Sequence, residues 1–434
     1  MITLSSSGRY FLRDEKPFFW LGDTAWELFH RTTLAEARLY LDNRARLGFN
    51  VIEAAILAEH DGLHQPNSNG DVPLTNDDPA QPDERYFQYV DTLVAEMNAR
   101  GMIAGLLPAW GDKVNKKWGD GPQVFTAQNA YGYGEFLGAR YREYEVVWIL
   151  GGDRESYTDG IDYAPVWTAM AAGIQATYGA HAVFSYHPQG HRSSSEAFQD
   201  APWLTFNMWQ SGHSERDLPV WEWIAQDYAR MPIKPIVDGE PCYEDHPIDP
   251  WRRAWLPEHG RFDEYDVRKQ CYRSIFAGGC GVTYGYHSIW QFASAARPPI
   301  AHAAPFWPEA RERPGAAQMI HLRRLIEPLL ASELIPDQSL MLTPPMDRAD
   351  YRVALRSQAG DLGLIYCPTG KEPLILNTRR LQRPLAIEWF NPITGEQTVA
   401  NAQIDQPVAT LILPDTQQDW VCILKASEND IVPR

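Results

Sequence analysis

The chain has 434 residues, of which 44% are hydrophobic and 22% charged, a balance that suits a folded globular protein and excludes a largely disordered one. Its 56 acidic and 39 basic residues leave a formal charge of −17, so a nucleic-acid or polyphosphate partner finds nothing to balance its charge. No stretch is long and apolar enough to span a membrane, and the start, Met1-Ile2-Thr3-Leu4-Ser5, lacks the basic residues and apolar run of a secretory signal, so the sequence reads as cytoplasmic.

Residues 2–17 read as a hairpin that caps the bottom of the fold. Strands then alternate with helices. Strands are expected at 18–23, 50–57, 102–110, 146–152, 182–187, 204–210, 235–240 and 281–287. Helices are expected at 34–48, 85–100, 131–143, 165–178, 219–230, 266–277 and 318–330, with a weak one near 193–198. The strands are almost continuously apolar, as parallel strands buried on both faces must be. Eight such repeats point to an α/β fold of the (β/α)8 TIM-barrel type. An open doubly wound sheet normally follows its first strand with a glycine-rich phosphate loop, and here that position holds Asp23-Thr24-Ala25-Trp26.

After Pro336 the pattern changes to short β-rich runs at 351–356, 362–367, 374–377, 386–390, 408–413 and 420–425, separated by turn residues such as Asn391-Pro392 and Thr394-Gly395. The expected organisation is a barrel over 1–335 and an antiparallel β-sandwich over 336–434. The five cysteines are odd in number and none has CxxC spacing, so neither a disulfide framework nor a zinc site is indicated. No cofactor is implied.

Barrel enzymes work at the C-terminal ends of their strands. Here those ends carry Asp23, with Trp26 just beyond; Glu59-His60-Asp61; Trp110-Gly111-Asp112; Gly152-Asp153-Arg154-Glu155; His187; Asn207, Trp209, Gln210 and then His213; Asp238-Gly239-Glu240; and Tyr284-Gly285-Tyr286-His287, with Trp290 beyond. A single carboxylate there is usually a helix cap, and a single His or Tyr a packed residue with one hydrogen bond. Convergence from all eight strands on one rim asks for another explanation. The 16 Trp, 20 Tyr and 16 Phe suit sugar faces, although aromatics also fill cores.

Asp153 and Glu240 are the leading pair. Strands four and seven face each other across a barrel mouth, which allows the roughly 5–5.5 Å separation of a retaining glycosidase. Glu155 is the alternative to Asp153, and Asp238 the alternative to Glu240. Arg154 is a candidate salt-bridge partner for a neighbouring carboxylate.

Several segments together resemble one family. They are Phe19-Trp20-Leu21-Gly22-Asp23-Thr24-Ala25-Trp26, Arg46-Leu47-Gly48-Phe49-Asn50-Val51-Ile52, Trp148-Ile149-Leu150-Gly151-Gly152-Asp153, Pro235-Ile236-Val237-Asp238-Gly239-Glu240-Pro241 and Gly278-Gly279-Cys280-Gly281-Val282-Thr283-Tyr284-Gly285. The chain resembles the apiosidase-like barrels of glycoside hydrolase family 140, which also carry a C-terminal β-sandwich with a collagen-binding label. The resemblance implies a strand-four Asp as acid/base and a strand-seven Glu as nucleophile, which fall on Asp153 and Glu240. It also implies release of apiose, a branched pentose, from pectic side chains. Family members are often secreted, and a chain trimmed of its leader would look like this one.

The expected function is therefore hydrolysis of a pentosyl bond in plant-derived oligosaccharides or glycosides. Asp153 is expected to be raised in pKa by the charge of Glu240. Asp23, His187, Asn207, Gln210 and Tyr284 are expected to hydrogen-bond sugar hydroxyls, and Trp26, Trp110, Trp209 and Trp290 to stack on sugar rings. A carbohydrate is the expected partner; the sequence does not give an oligomeric state. A non-catalytic sugar- or protein-binding protein on a degenerate barrel is the alternative. A metal hydrolase using Asp23, His60, His187 and His213 lacks any HxH or HExxH spacing.

Overall fold

The computed structural model describes residues 1–251, 255–342 and 346–427. Residues 343–345 and 428–434 of the expected second domain lie outside the described residues, as do 252–254. Eight parallel strands form the barrel: β1 (Trp20–Thr24), β2 (Val51–Ala55), β3 (Ile103–Leu107), β4 (Val146–Gly151), β5 (Phe184–His187), β6 (Asn207–Gln210), β7 (Ile236–Asp238) and β8 (Gly281–Tyr284). They pair in the order β5-β4-β3-β2-β1-β8-β7-β6. Between β5 and β6 the ring is drawn together by the Thr205 N–H, which donates to the Phe184 carbonyl at 2.9 Å, and by Ser185 Oγ, which donates to the Phe206 carbonyl at 2.8 Å.

Successive side chains point to opposite faces of each strand, and both faces are buried. Trp20, Val51, Ile103, Val147, Phe206, Met208 and Val237 fill the barrel interior. Leu21, Ile52, Ala104, Trp148 and Phe184 face the helix layer. The bottom is plugged by an antiparallel sheet of three strands, Ile2–Leu4, Phe11–Arg13 and Lys16–Phe18, in place of the expected hairpin. Ile2, Phe11 and Phe18 join the interior cluster, and Phe11 meets Phe206 edge-on with ring centres 5.1 Å apart.

The outer helices are α1 (Leu34–Arg46), α2 (Glu84–Ala99), α3 (Ala127–Tyr141), α4 (Ala164–Tyr178), α5 (Ser195–Phe198), α6 (Val220–Tyr228), α7 (Glu264–Phe276) and α8 (Pro314–Ile326). Among the described residues none is long and apolar enough to cross a membrane. Helix starts follow their capping residues. Thr33 and Glu36 form a capping box on α1, and Asp83 caps α2. Thr126 and Asn129 cap α3 four residues before the start expected from periodicity, which its glycines obscure.

Those glycines let α3 and α4 approach closely. A Cβ at Gly134 or Gly173 would overlap a backbone carbonyl of the facing helix, that of Met170 or Tyr131. Gly173→Ala is therefore expected to destabilise the protein by about 1–3 kcal/mol, read as a lower midpoint in urea unfolding.

Beyond the barrel, β9 (Leu334–Pro336), β10 (Val353–Ser357), β11 (Leu362–Cys367), β12 (Leu374–Asn377), β13 (Leu385–Phe390), β14 (Gln397–Ile404), β15 (Val408–Leu411) and β16 (Trp420–Ala426) form the C-terminal antiparallel domain. A six-stranded sheet, β9-β10-β11-β16-β13-β14, is covered on one face by the two-stranded sheet β12-β15. Its other face, with Val353, Leu355, Leu364, Tyr366 and Val421, continues the packing of the barrel's helix layer. All five cysteines are buried and free.

Candidate active site

The end of β4 turns sharply. Gly151, Gly152 and Asp153 have φ of 87°, 116° and 57°. A Cβ at Gly151 would overlap the His187 carbonyl, and one at Gly152 would come within 2.8 Å of the Gly111 nitrogen, so both positions need glycine. Asp tolerates the left-handed region better than most residues, and this turn lifts Asp153 onto the rim. Its side chain is 27% exposed.

His187 ends β5. Ser185 and His187 point inward, while Phe184 and Tyr186 point to the helices. The Asp153 backbone N–H donates to His187 Nδ1 at 3.3 Å, and His187 Nε2 lies 2.9 Å from Glu240 Oε2. One imidazole thus links the two carboxylate-bearing segments. With Nδ1 accepting, the neutral ring carries its proton on Nε2, aimed at Glu240. Glu240 follows β7 and is 5% exposed. It also hydrogen-bonds the Tyr243 hydroxyl, which accepts from Trp26 Nε1 at 3.0 Å.

The two carboxyls are driven in opposite directions. Burial, then the negative charge of Glu240, pushes Asp153 up to about 6, against the opposing pull of Arg154 and His187. Burial also opposes ionisation of Glu240, but His187, His213 and Tyr243 outweigh it and hold Glu240 below the usual carboxylate range. Burial disfavours the charged His187 ring, yet Glu240 raises its pKa.

Trp26 and Trp110 pack around His187, with ring centres at 5.2 Å and 5.9 Å. Trp110 Nε1 and Gln210 Oε1 are buried and have no protein partner. Gln210 follows the inward-facing Met208 by two residues and shares its side of β6. Trp290 donates through Nε1 to His287 Nδ1 at 3.2 Å, and its ring lies 5.6 Å from that of His60.

Five expected sugar contacts need correction. His187 points into the mouth, but one ring nitrogen accepts from the Asp153 N–H and the other pairs with Glu240, which leaves neither for a sugar hydroxyl. The other four fail on direction. Asp23 lies between the inward-facing Gly22 and Thr24, and so points into the helix layer. There it accepts from Arg44 Nε at 2.8 Å and from the Tyr40 hydroxyl. Asn207 and Trp209 flank the inward-facing Met208. Asn207 Nδ2 donates to Gln199, and Trp209 donates to Asp227 at 2.8 Å while stacking on Trp223. Tyr284 follows the inward-facing Thr283; its hydroxyl donates to Glu244 at 2.5 Å, outside the barrel wall. All four stand at strand ends, but with the wrong parity to reach the mouth.

Parity also separates the alternative carboxylates. Asp238 faces outward and accepts from the Ser211 and Ser274 hydroxyls. Glu155 stays on the rim, accepting from Lys117 at 3.2 Å and Gln189 at 2.7 Å. Among the described residues no three His, Cys, Asp or Glu side chains are grouped to hold a metal ion.

Sequence reasoning passed over Glu53, Tyr243 and Trp118. Glu53 is wholly buried inside the barrel, accepts from Thr283 Oγ1 at 2.7 Å, and is pushed up to about 8, chiefly by burial. A Glu within the apolar run Asn50-Val51-Ile52-Glu53-Ala54-Ala55 was the visible signal. Glu59 is likewise pushed up to about 8 by burial and by the charge of Asp153.

The model of an apiosidase-like catalytic domain matches residues 5–332, and that described as "Putative collagen-binding domain of a collagenase" matches residues 335–425. No curated protein matches the chain. Among solved structures, it is similar to a glycoside hydrolase at 28% identity, covering 99% of this chain and 97% of that one with a TM-score of 0.87. It is also similar to a glycoside hydrolase family 5 protein from Bacteroides vulgatus, at 28% identity, 99% and 94% coverage and a TM-score of 0.88. With the family match running over most of its length, the chain belongs to the apiosidase-like family and is an O-glycosyl hydrolase.

Proposed function

We propose that the protein cleaves a pentosyl, apiosyl-like bond in plant-derived oligosaccharides or glycosides by a retaining mechanism, with Asp153 as acid/base and Glu240 as nucleophile. The observation that carries this reading is the geometry at the mouth, where one imidazole accepts from the Asp153 N–H at 3.3 Å and lies 2.9 Å from Glu240; burial and the Glu240 charge push Asp153 up while His187 holds Glu240 down. The pentosyl specificity rests on the family description.

In the first step Asp153 gives its proton to the glycosidic oxygen while the Glu240 carboxylate bonds to the anomeric carbon, and the carbon–oxygen bond breaks. In the second, Asp153 takes a proton from water, the water oxygen bonds to the anomeric carbon, and Glu240 leaves. His187 holds Glu240 ionised before attack. Trp110 Nε1 and Gln210 Oε1 are free to pair with sugar hydroxyls, and Trp26 and Trp290 offer ring edges or faces to the glycone.

The test is incubation with a panel of pentosyl-capped plant oligosaccharides, identifying the released sugar and its first-formed anomer. Release of a pentose with retained configuration is expected; release of none, or of the inverted anomer, overturns the reading. Because Asp153 must start protonated, kcat/KM is expected to fall as pH rises through about 6. Rates measured from pH 4 to 9 check this, and an alkaline limb that persists unchanged in Asp153→Asn refutes it.

A further inference from the structure

Trp118 stands on the long loop after β3, beside Asp153. Its indole N–H donates to Asp153 Oδ2 at 3.3 Å. The Arg154 guanidinium covers the ring at 4.1 Å from its centre, and the Lys117 ammonium lies 5.7 Å away. The residue is nonetheless 37% exposed, whereas Trp26, Trp110 and Trp290 are all buried.

The loop that carries Trp118 is pinned. Lys113 and Asp112 form a wholly buried ion pair at 2.8 Å, and Asp112 accepts from the Gly121 N–H at 2.7 Å. Arg154 donates to the carbonyls of Asn115, Trp118 and Asp153 at 3.2, 2.6 and 2.7 Å. One guanidinium therefore sets the indole against the carboxyl. Lys117, Glu155 and Gln189 form a hydrogen-bonded polar edge on the same side.

The carboxyl that protonates a glycosidic oxygen lies on the side of the group departing with that oxygen. An exposed aromatic face fixed to that carboxyl therefore addresses the departing group. We propose that Trp118 is the stacking platform for the leaving group, with Lys117, Glu155 and Gln189 as its polar rim, and that the natural substrate carries a sugar ring there. This rests on the two-carboxylate reading.

The test compares two substrates of one pentose, the glycosyl fluoride, which has no ring to stack, and a disaccharide. Trp118→Ala is expected to lower kcat/KM on the disaccharide about tenfold more than on the fluoride. Trp118→Phe, which keeps a ring, is expected to restore most of that difference. Equal losses on both substrates, a moved alkaline limb without a changed ratio, or a Phe variant as impaired as Ala overturns the platform. Wild-type turnover of these substrates that Glu240→Gln leaves within tenfold overturns the two-carboxylate reading, and this inference with it.

Discussion

Glu240→Gln is expected to reduce hydrolysis on the order of 10^4-fold or more while leaving the unfolding curve unchanged. An amide of the same shape can still accept from His187 Nε2, so the packing of a side chain only 5% exposed is preserved. What is lost is the anionic oxygen proposed to attack the anomeric carbon. Asp153→Asn keeps its fold for a related reason, because Asn is also at home at a φ of 57°. Its loss should be greatest on poor leaving groups, which need the proton most. Turnover of either variant within tenfold of wild type refutes the assignment. Steady-state rates with a thermal melt beside them decide it.

Arg44→Met is expected to cost about 3–5 kcal/mol of stability, because it strands the Asp23 carboxylate in a dry site. Both side chains are wholly buried, 2.8 Å apart, and Arg44 also donates to Asn43 at 2.9 Å between the rings of Tyr40, Phe49 and Tyr284. Replacing both charges, as in Asp23→Leu with Arg44→Met, should recover much of the loss, since an apolar pair has no desolvation cost. Urea unfolding of the single and double variants measures this. The same set tests the corrected role of Asp23. Were it a sugar ligand, Asp23→Asn would raise KM with stability intact; the buried pair instead predicts lost stability with KM unmoved.

The barrel was legible because its strands are mostly apolar runs and all but one are followed by a clear helical period. The second domain was legible in part. β14 was missed because Gln397-Thr398-Val399-Ala400-Asn401-Ala402-Gln403-Ile404 alternates polar residues with small ones and has few large apolar side chains, as an edge strand beside a register shift at Ala386 and Glu388 can. At the site, strand-end position put forward Asp153 and Glu240 as the proposed pair and brought His187 to the rim, but as a sugar ligand and not as the link between them. Asp23, Asn207, Trp209 and Tyr284 were misplaced because a strand end was read without its parity, and one residue of offset exchanges the mouth for the helix layer. Trp118 and Tyr243 lie in irregular segments with no period to read; only tertiary contacts bring them to the carboxylates.

The second domain holds α7 from outside. Every residue of that helix from Asp266 to Phe276 is buried. Arg268 reaches across to Asp419 with two hydrogen bonds, at 2.9 and 2.7 Å, and Tyr366 donates to the same carboxylate at 3.0 Å. Arg273 donates to the carbonyls of Arg348, Ala349 and Tyr351. A joint held by buried, hydrogen-bonded charges opposes hinge motion, because opening it would strand Arg268 and Asp419 without each other. A change at Asp419 alone would leave Arg268 buried without its carboxylate, so the two positions are coupled across the joint. The two halves are expected to pass down lineages together, with changes at positions 268 and 419 tracking each other.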